Sequence, residues 1–432
     1  MGVFVKIYLY STYPSLRLSP KRGEKPRKDM KRLIIIDGNA IIHRAYHALP
    51  PMTTKNGTMV NAVYGFTSML LKVWKDLAPN YVAVTFDMAG PTFRHVKYKK
   101  YKATRVKADQ ELYDQIPLVH EVVQSFGLPI YQKQGYEADD VIGTIVEAVR
   151  PQRTKDYGLR TTVHKRTITE DRRLKTEGEN LEVFIITGDM DTLQLIKDNV
   201  KVYTLRKGMS DVVVYDADEV KKRFGFGPEA MVDYKALRGD ASDNIPGVPG
   251  IGEKTATELI LKFGGIEKIY HEVQSPESKV QSQLKPGVIK KLIEGEASAK
   301  MSKELSAIDC AVPGLDFNLA DCEIKEFDKE KINRLFQKFE FVSLLKRIPG
   351  FGAVEESKPK EKKKSASKMT FSEIASDDEL MRMVKMIKDE KVFACRAALT
   401  GKEVLDGELL GLIIAVGVQA FFVDFEMVKK VL

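Results

Sequence analysis

Three scarcities in this 432-residue chain each exclude a class of protein. Its only cysteines, Cys310, Cys322 and Cys395, show no metal-ligand spacing, so we expect free thiols in a reducing cytoplasm. No run of about 18 apolar residues occurs, so no membrane association is expected. The first 29 residues lack a convincing signal-peptide cleavage site, and Lys6 departs from the myristoylation pattern.

The chain also lacks a strong excess of one charge. Its 69 basic and 60 acidic residues give a formal net charge of +9. That excess is clustered, and clustering matters more than the total for binding a polyanion. Hydrophobic residues make up 43% of the sequence, enough to bury real cores. The length predicts about two or three domains.

Three short apolar runs end at aspartates, and helical patterns such as 60–75 and 114–126 lie between them. Such runs are typical of strands buried on both faces of a parallel sheet, so the alternation predicts an α/β fold. Ligands bind beyond the carboxyl ends of such strands, where these aspartates should converge. The runs and their acids are Leu33–Ile36 with Asp37, Tyr81–Phe86 with Asp87, and Val183–Thr187 with Asp189 and Asp191.

A predicted helix start adds three acids, Glu137, Asp139 and Asp140. Glu137 and Asp140 share one helix face, and Asp139 lies close by in the first turn. Acids at a helix start also stabilise the helix dipole, so a purely structural role is the alternative interpretation of this motif alone.

From about residue 221 the pattern becomes helical, and residues 237–256 form a glycine-punctuated string. Asp240 and Asp243 precede the turn Gly250–Gly252, which opens a helix carrying Lys254. Glycine permits tight turns and close approach to another surface. Free N–H groups at the new helix start suit a phosphate. Carboxylates and an anion receptor therefore lie side by side, a combination that suits phosphodiester chemistry.

Nine carboxylates packed together would repel one another unless cations neutralised them. Oxygen ligands without His or Cys favour Mg²⁺ or Mn²⁺ over zinc. Two such ions about 3.5–4 Å apart can activate water and stabilise a leaving oxygen. The candidate metal ligands are Asp37, Asp87, Glu137, Asp139, Asp140, Asp189, Asp191, Asp240 and Asp243.

A basic segment, residues 93–107, follows the run that ends at Asp87. It contains seven Lys or Arg residues, with Tyr98 and Tyr101 interleaved. Cations that track phosphates and aromatic rings that stack on bases suit a single nucleic-acid strand. A solvated helix face is the alternative, but the position beside the acids favours nucleic acid.

With these motifs in hand, the chain resembles the 5′-nuclease domain of bacterial DNA polymerase I, in the flap-endonuclease superfamily. The resemblance runs from about residue 31 to 348, without an insertion at 150–178. The motifs that carry it are Ile36–Gly38 with Arg44–His47, Phe86–Asp87, Thr92–Arg94 with Tyr101, Lys102 and Arg105, Glu137–Gly143, Thr187–Asp191, and Gly239–Ala256.

The resemblance implies a PIN-like parallel-sheet nuclease lobe and an all-helical helix-hairpin-helix lobe. It implies a structure-specific nuclease that removes 5′ ends, flaps and RNA primers with two metal ions. The first ion would be surrounded by Asp37, Asp87, Glu137, Asp139 and Asp140. The second would be held by Asp189, Asp191, Asp240 and Asp243.

The resemblance also implies how DNA is held. Arg94, Lys102 and Arg105 would hold the scissile phosphate and the threaded 5′ strand, with Asp139 among the catalytic residues. The implied DNA contacts, with a monovalent cation such as K⁺ at the turn, are Arg44, Tyr101, Gly250, Ile251, Gly252, Lys254 and Thr255. We expect a monomeric, cytoplasmic, nucleoid-associated protein whose partners are DNA with 5′ flaps, nicks or ends and RNA primer–DNA hybrids.

The expected organisation has five parts. The last resembles the first strands of the polymerase's 3′–5′ exonuclease-like domain, but Phe393–Ala397 lacks that domain's Asp and Glu ligands, so no proofreading is expected. The parts are a disordered or mis-started extension (1–30), the nuclease lobe (31–220, with the basic insertion 150–178), the helical lobe (221–350), a flexible linker (351–370) and a truncated, inactive exonuclease-like tail (371–432).

Three alternatives stay open. The chain could be the N-terminal part of a full DNA polymerase I, a catalytically silent DNA-binding scaffold, or an RNA-directed PIN-type nuclease. The presence of all nine acids argues against the scaffold, and the helix-hairpin-helix string favours duplex DNA over RNA.

Overall fold

The computed structural model describes residues 30–150, 180–209, 211–275, 284–348, 370–390, 394–399, 409–416 and 419–424. The contacts divide the chain into two compact units, one with the described residues 30–348 and the other with those of 370–424. The predicted extension, insertion and linker lie almost entirely outside the described residues. The parts left out are 1–29 of the extension, 151–178 of the insertion and 351–369 of the linker.

A six-stranded sheet organises the larger unit, in the order β3-β2-β1-β4-β5-β6. Strands β1 to β5 are parallel, and β6 is antiparallel to β5. The three apolar runs of the sequence become the adjacent strands β2, β1 and β4, which confirms the parallel α/β prediction. The strands are β1 (Lys31–Asp37), β2 (Tyr81–Thr85), β3 (Ile130–Tyr131), β4 (Leu181–Thr187), β5 (Val200–Lys207) and β6 (Asp211–Tyr215).

Strand β1 contributes to a core on each face of the sheet because successive side chains point in opposite directions. Leu33 and Ile35 pack in a core with residues of the helix that follows Glu137 and of the helical lobe. Ile34 and Ile36 pack in a second core with the helices that follow β1 and flank β2. Burial on both faces fixes the strand and places Asp37 at its carboxyl end.

The helices of the nuclease lobe cover the two faces of the sheet. The predicted helices at 60–75 and 114–126 are confirmed, and the helix predicted after Glu137 begins at Ala138. They are α1 (Gly38–Ala48), α2 (Asn61–Leu77), α3 (Phe93–Lys97), α4 (Gln110–Tyr113), α5 (Ile116–Ser125) and α6 (Ala138–Ala148).

The chain is helical after β6, as its pattern predicted. The end of this region returns to the nuclease lobe, because Phe336, Phe341 and Ile348 pack in the same core as α2 and α5. The sequence pattern around these residues gives no sign of this tertiary contact. The helices are α7 (Ala217–Phe224), α8 (Met231–Arg238), α9 (Glu253–Phe263), α10 (Ile266–Gln274), α11 (Pro286–Ser306), α12 (Lys329–Lys338) and α13 (Val342–Leu345).

The smaller unit is a four-stranded sheet in the order β7-β10-β9-β8, with one helix packed on it. Strand β10 is parallel to β7 and antiparallel to β9. The apolar run at 409–422 is divided between two antiparallel strands, β9 and β10. Among the described residues, no helix is long and apolar enough to cross a membrane. The elements are β7 (Thr370–Ile374), α14 (Asp377–Glu390), β8 (Ala394–Leu399), β9 (Leu409–Val416) and β10 (Gln419–Asp424).

Candidate active site

The carboxyl ends of the parallel strands bring acids from separate parts of the sequence together. Asp37 ends β1, Asp87 follows β2 and Asp189 follows β4. The Ala138 amide at the start of α6 donates to Asp87 Oδ1 at 2.7 Å, which joins that helix to β2. The acids that begin α6 therefore lie beside those that end the strands.

Asp37 is 4% exposed and is held in place by neutral donors. The Ala40 amide donates to Asp37 Oδ1 at 3.0 Å, and the Thr187 hydroxyl donates to Oδ2 at 2.7 Å. Burial, together with the nearby charges of Asp87 and Asp189, raises the pKa of Asp37 to about 7 despite these hydrogen bonds. A nearby cation would stabilise its charged form.

Asp139 is the most strongly perturbed acid of the site. Burial first, and then the charges of Asp189, Asp37 and Asp191, raise its pKa well above the usual range. In the described part of the chain, no hydrogen bond or ion pair of its carboxylate is found. Like charges this close disfavour ionisation unless a cation neutralises them. The surroundings of Asp139 therefore suit a bound cation.

Asp191 and Asp240 are bridged by one lysine that sequence reasoning missed. Lys235 of α8 is 7% exposed; its Nζ pairs with Asp191 Oδ1 and lies 2.7 Å from Asp240 Oδ2. Burial works against ionisation of Asp240, but Lys235 lowers the pKa of Asp240 to about 2. A lysine within the buried stripe of α8, between Met231 and Leu237, was the available signal.

Glu137 and Asp243 are also paired, in this case with the basic segment. Lys102 Nζ lies 2.9 Å from Glu137 Oε1, and Arg105 lies 2.5 Å from Asp243 Oδ1. The Tyr101 hydroxyl lies 3.0 Å from Glu137 Oε2 and 3.2 Å from Asp243 Oδ2, and its single proton is shared between the two carboxylates. Burial first, and then those two charges, raise the pKa of Tyr101, so its hydroxyl stays a donor.

Arg94 and Asp140 form a buried pair, which conflicts with the roles expected for them. Both guanidinium–carboxylate hydrogen bonds measure 2.7 Å, and the side chains of Arg94 and Asp140 are 3% and 0% exposed. The amides of Glu137 and Asp309 also donate to Asp140, so each of its oxygens accepts two hydrogen bonds. Asp140 therefore has no oxygen free for a metal, and Arg94 has no face open to a phosphate.

Arg44 supports a strand end rather than extending freely into solvent. Its guanidinium donates to the carbonyls of Leu205, Arg206 and Gly208, the second of these at 2.7 Å. Arg44 still borders an open cleft of about 560 Å³, whose lining also includes Asp189, Asp191, Lys235, Asp240, His43 and His47.

The glycine turn before α9 leaves its backbone accessible. In the described chain no side chain caps the start of α9, and a Cβ on Gly252 would meet nothing within 4 Å. Lys254 is exposed, Thr255 is half-buried and Ile251 is packed in the core. The Gly250 carbonyl accepts from Lys291 Nζ at 3.1 Å. Open amides at a helix start suit a phosphate.

The residues present fit a divalent cation, although no ligand shell is preformed. Among the described residues, no group of three or more His, Cys, Asp or Glu side chains is arranged so that it could hold a metal ion. Several carboxylates are instead held by lysine and arginine. Asp37 and Asp139 supply hard oxygen donors whose ionised forms need a cation, and this matches the ligand chemistry of Mg²⁺ and Mn²⁺.

Two family models match the larger unit. Residues 32–172 match the N-terminal resolvase-like domain of 5′-3′ exonucleases, and residues 226–330 match their C-terminal SAM fold. Together the matches cover more than half of the chain. The chain belongs to the 5′-3′ exonuclease family. The helical lobe is thus the SAM-fold domain of that family.

Curated relatives of this 5′-3′ exonuclease are longer proteins. The chain is 38% identical over 319 residues to DNA polymerase I of Caldicellulosiruptor bescii, covering 73% of this chain and 33% of that protein. It is 35% identical over 320 residues to DNA polymerase I of Bacillus subtilis, covering 74% and 32%. The chain spans about a third of the length of these relatives.

Solved structures agree with the fold. T5 5′-exonuclease with bound zinc ions aligns with a TM-score of 0.50 at 19% identity, covering 72% of this chain and 100% of that one. A T5 protein co-crystallised with metal ions aligns with a TM-score of 0.50 at 17% identity, covering 72% and 99%. At these identities the likeness supports the two-lobe fold alone.

Proposed function

We propose that this chain is a divalent-metal-dependent 5′-nuclease that hydrolyses phosphodiester bonds at 5′ ends and flaps of DNA. The observation that carries the proposal is the position of Asp37 and Asp139. Both lie at the carboxyl edge of the sheet with raised pKa values, and Lys102 and Arg105 lie within the same site. The acids can bind divalent cations, and the neighbouring basic side chains can bind a phosphate. The two together suit a phosphodiester substrate.

The metal ions would be held by acids with oxygens facing the site. Asp37, Asp87, Glu137 and Asp139 are the proposed ligands of one ion, and Asp189, Asp191, Asp240 and Asp243 are those of the second. When bound, such ions activate water and stabilise charge on the leaving oxygen. We propose Mg²⁺ or Mn²⁺, because the ligand set contains only hard oxygen donors.

The basic segment would orient the strand to be cut. Although burial disfavours its charge, Glu137 and Asp243 raise the pKa of Lys102, so its ammonium stays charged beside the acids. Arg105 is 49% exposed and can turn toward a phosphate. Donors aimed at a phosphate stabilise negative charge as it develops during the reaction. The buried ring of Tyr101 supports this arrangement, so we assign it no stacking role.

The open amides at the start of α9 and Lys254 would grip phosphates of the duplex beside the cut. Lys291 already donates to the Gly250 carbonyl, so a K⁺ ion at this turn would have to share or replace that contact. The substrate range would include nicks and RNA primer–DNA hybrids. We further propose a cytoplasmic, nucleoid-associated monomer.

The smaller unit is proposed to be the beginning of an inactive 3′–5′ exonuclease-like domain. Its support is a sheet that carries Cys395 and Arg396 in β8, where proofreading forms are expected to carry acids. The share of the relatives that is matched supports the alternative that the chain corresponds to the nuclease part of a DNA polymerase I.

Cleavage of a labelled 5′-flap DNA with EDTA, Mg²⁺ or Mn²⁺ tests the proposal. We expect cleavage only with a divalent ion, and only a residual trace of it from the Asp139→Asn protein. If the folded wild-type protein binds the flap but cleaves in neither metal, the nuclease proposal fails and the DNA-binding scaffold replaces it. Faster cleavage of a single-stranded RNA of matched sequence, without an adjacent duplex, would favour the RNA-directed nuclease.

A further inference from the structure

The buried Arg94–Asp140 pair joins three elements that lie far apart in the sequence. Arg94 begins the basic segment in α3, and Asp140 lies in the first turn of α6. The guanidinium also donates to the Leu305 carbonyl at 3.0 Å and to the Ala307 carbonyl at 2.7 Å. These carbonyls belong to the carboxyl end of α11, where helix carbonyls lack intrahelical partners.

Helix α11 in turn holds the loop that precedes the glycine turn. The Gly247 amide donates to Ser302 Oγ at 3.0 Å, and Ser298 Oγ donates to the Gly247 carbonyl at 2.6 Å. A Cβ at Gly247 would lie 2.3 Å from the Gly239 nitrogen, so the loop is closed tightly. One rigid helix therefore connects this loop to the Arg94–Asp140 pair.

In the proposed function, DNA is held at the glycine turn and cut at the carboxylates. The distance between these two places would then set which phosphodiester reacts. Asp139, the proposed metal ligand, is the residue directly before Asp140. A helix is stiff along its axis, and the pair fixes where α11 ends relative to α6. A bidentate Arg–carboxylate pair fixes orientation as well as separation.

We propose that Arg94 and Asp140 are positioning residues that set which phosphodiester of the bound DNA meets the metal site. The proposal rests on the proposed nuclease function and replaces the ligand role for Asp140 and the phosphate role for Arg94. The pair acts through α6 and α11 and touches neither metal nor substrate. Breaking it at Asp140 leaves the proposed metal ligands in place but loosens the register between the duplex-gripping turn and the carboxylates. Arg94 Nη1 also lies 3.6 Å from Glu137 Oε2, a proposed ligand, so Asp140→Asn is the cleaner variant.

The test maps cleavage products at single-nucleotide resolution for Asp140→Asn and Arg94→Gln. For both variants we expect cuts spread to neighbouring phosphodiesters and a kcat roughly a hundredfold lower. In Asp140→Asn the Mn²⁺ affinity, measured by electron paramagnetic resonance, should be unchanged from wild type. Asp139→Asn should lose Mn²⁺ affinity, while its residual product keeps the wild-type position. Glu294→Gln, at an exposed ion pair of α11, is the matched control and should change none of these.

Two results overturn the proposal. Loss of Mn²⁺ affinity in Asp140→Asn equal to that in Asp139→Asn would make Asp140 a ligand. A slower reaction at an unchanged cut position would make the pair merely structural. Should the single variants fail to fold, the double variant Arg94→Met with Asp140→Leu carries the same tests, because apolar replacement of a buried pair is often tolerated.

Amide hydrogen exchange separates this proposal from the nuclease proposal. Breaking the pair should speed exchange at residues 305–309 and also at the distant turn 247–252, and this needs no DNA or cleavage. If wild-type protein does not cleave DNA, the nuclease proposal fails, while the exchange result still reports the linkage. Unchanged exchange at 247–252 in the variants overturns the positioning role.

Discussion

Two groups of carboxylates share one site, and they differ in what neutralises them. Asp191 and Asp240 are bridged by Lys235, and Glu137 and Asp243 are paired with the basic segment. Asp37 has only neutral donors, and Asp139 is surrounded by other acids. The same residue type at the same sheet edge therefore has either a cation supplied by the protein or none. Lys235 satisfies Asp191 only in part, because burial and the charge of Asp189 still raise the pKa of Asp191 to about 7.

The largest effect is expected at the unpaired group. Asp139→Asn should lower kcat for flap cleavage by on the order of a thousandfold or more, because several kcal/mol of metal-derived stabilisation are lost. Binding of flap DNA, measured in Ca²⁺ or EDTA by fluorescence anisotropy, should persist or tighten, because a negative charge near the phosphates is removed. Asp316→Asn, at an exposed acid elsewhere, is the control. Parallel loss of affinity and rate would mean that Asp139 holds DNA.

Removing Lys235, the cation that the protein itself supplies to Asp191 and Asp240, should destabilise the folded protein. Lys235→Met leaves Asp191 and Asp240 facing each other, so the free energy of unfolding of the metal-free protein should fall by about 3–5 kcal/mol. Mn²⁺ should restore more stability to this variant than to wild type. Urea unfolding with and without Mn²⁺ measures both, with the exposed Lys268→Met as control. A variant as stable as wild type in EDTA would show that the bridge contributes little.

Lys102 and Arg105 sharpen the comparison because they pair with acids in the free protein and, by proposal, with phosphate in the reaction. Lys102→Ala or Arg105→Ala should raise the activation free energy by roughly 2.7–4 kcal/mol, while duplex affinity changes much less. Single-turnover rates and binding isotherms separate the two, with Lys325→Ala as an exposed control. Equal losses in rate and affinity would reduce both residues to general electrostatic attraction.

The smallest effect concerns pH. The pKa of Asp37 is about 7 in the folded protein against 3.8 for an ordinary aspartate, so the folded state binds more protons between those values. Stability of the metal-free protein should therefore fall as pH rises from about 4.5 to 7, by on the order of 2 kcal/mol, and then level off. Urea unfolding in EDTA at pH 5 and pH 8 measures this. A rise over the same interval would contradict the assignment. Asp37→Asn should make the profile shallower without removing it, because the pKa of Asp191 is also raised to about 7.

Sequence pattern predicted the strands and their terminal acids because buried parallel strands leave a local apolar signature. It could not separate the two groups of carboxylates, since pairing depends on tertiary contacts. Asp139 and Asp140 are neighbours with identical side chains, yet one faces other acids and the other is enclosed by Arg94. The lysine of α8 was visible only as a charge within an apolar stripe, and the return of residues 336–348 to the nuclease lobe had no local signal.

The division between Asp139 and Asp140 is tested most directly by titrating Mn²⁺ into the DNA-free protein and counting free ion by electron paramagnetic resonance. The account predicts that wild type and Asp140→Asn bind Mn²⁺ with the same affinity and that Asp139→Asn loses at least one bound ion. Wild-type protein that binds no Mn²⁺, or an Asp140→Asn protein that loses the ion together with Asp139→Asn, would contradict it.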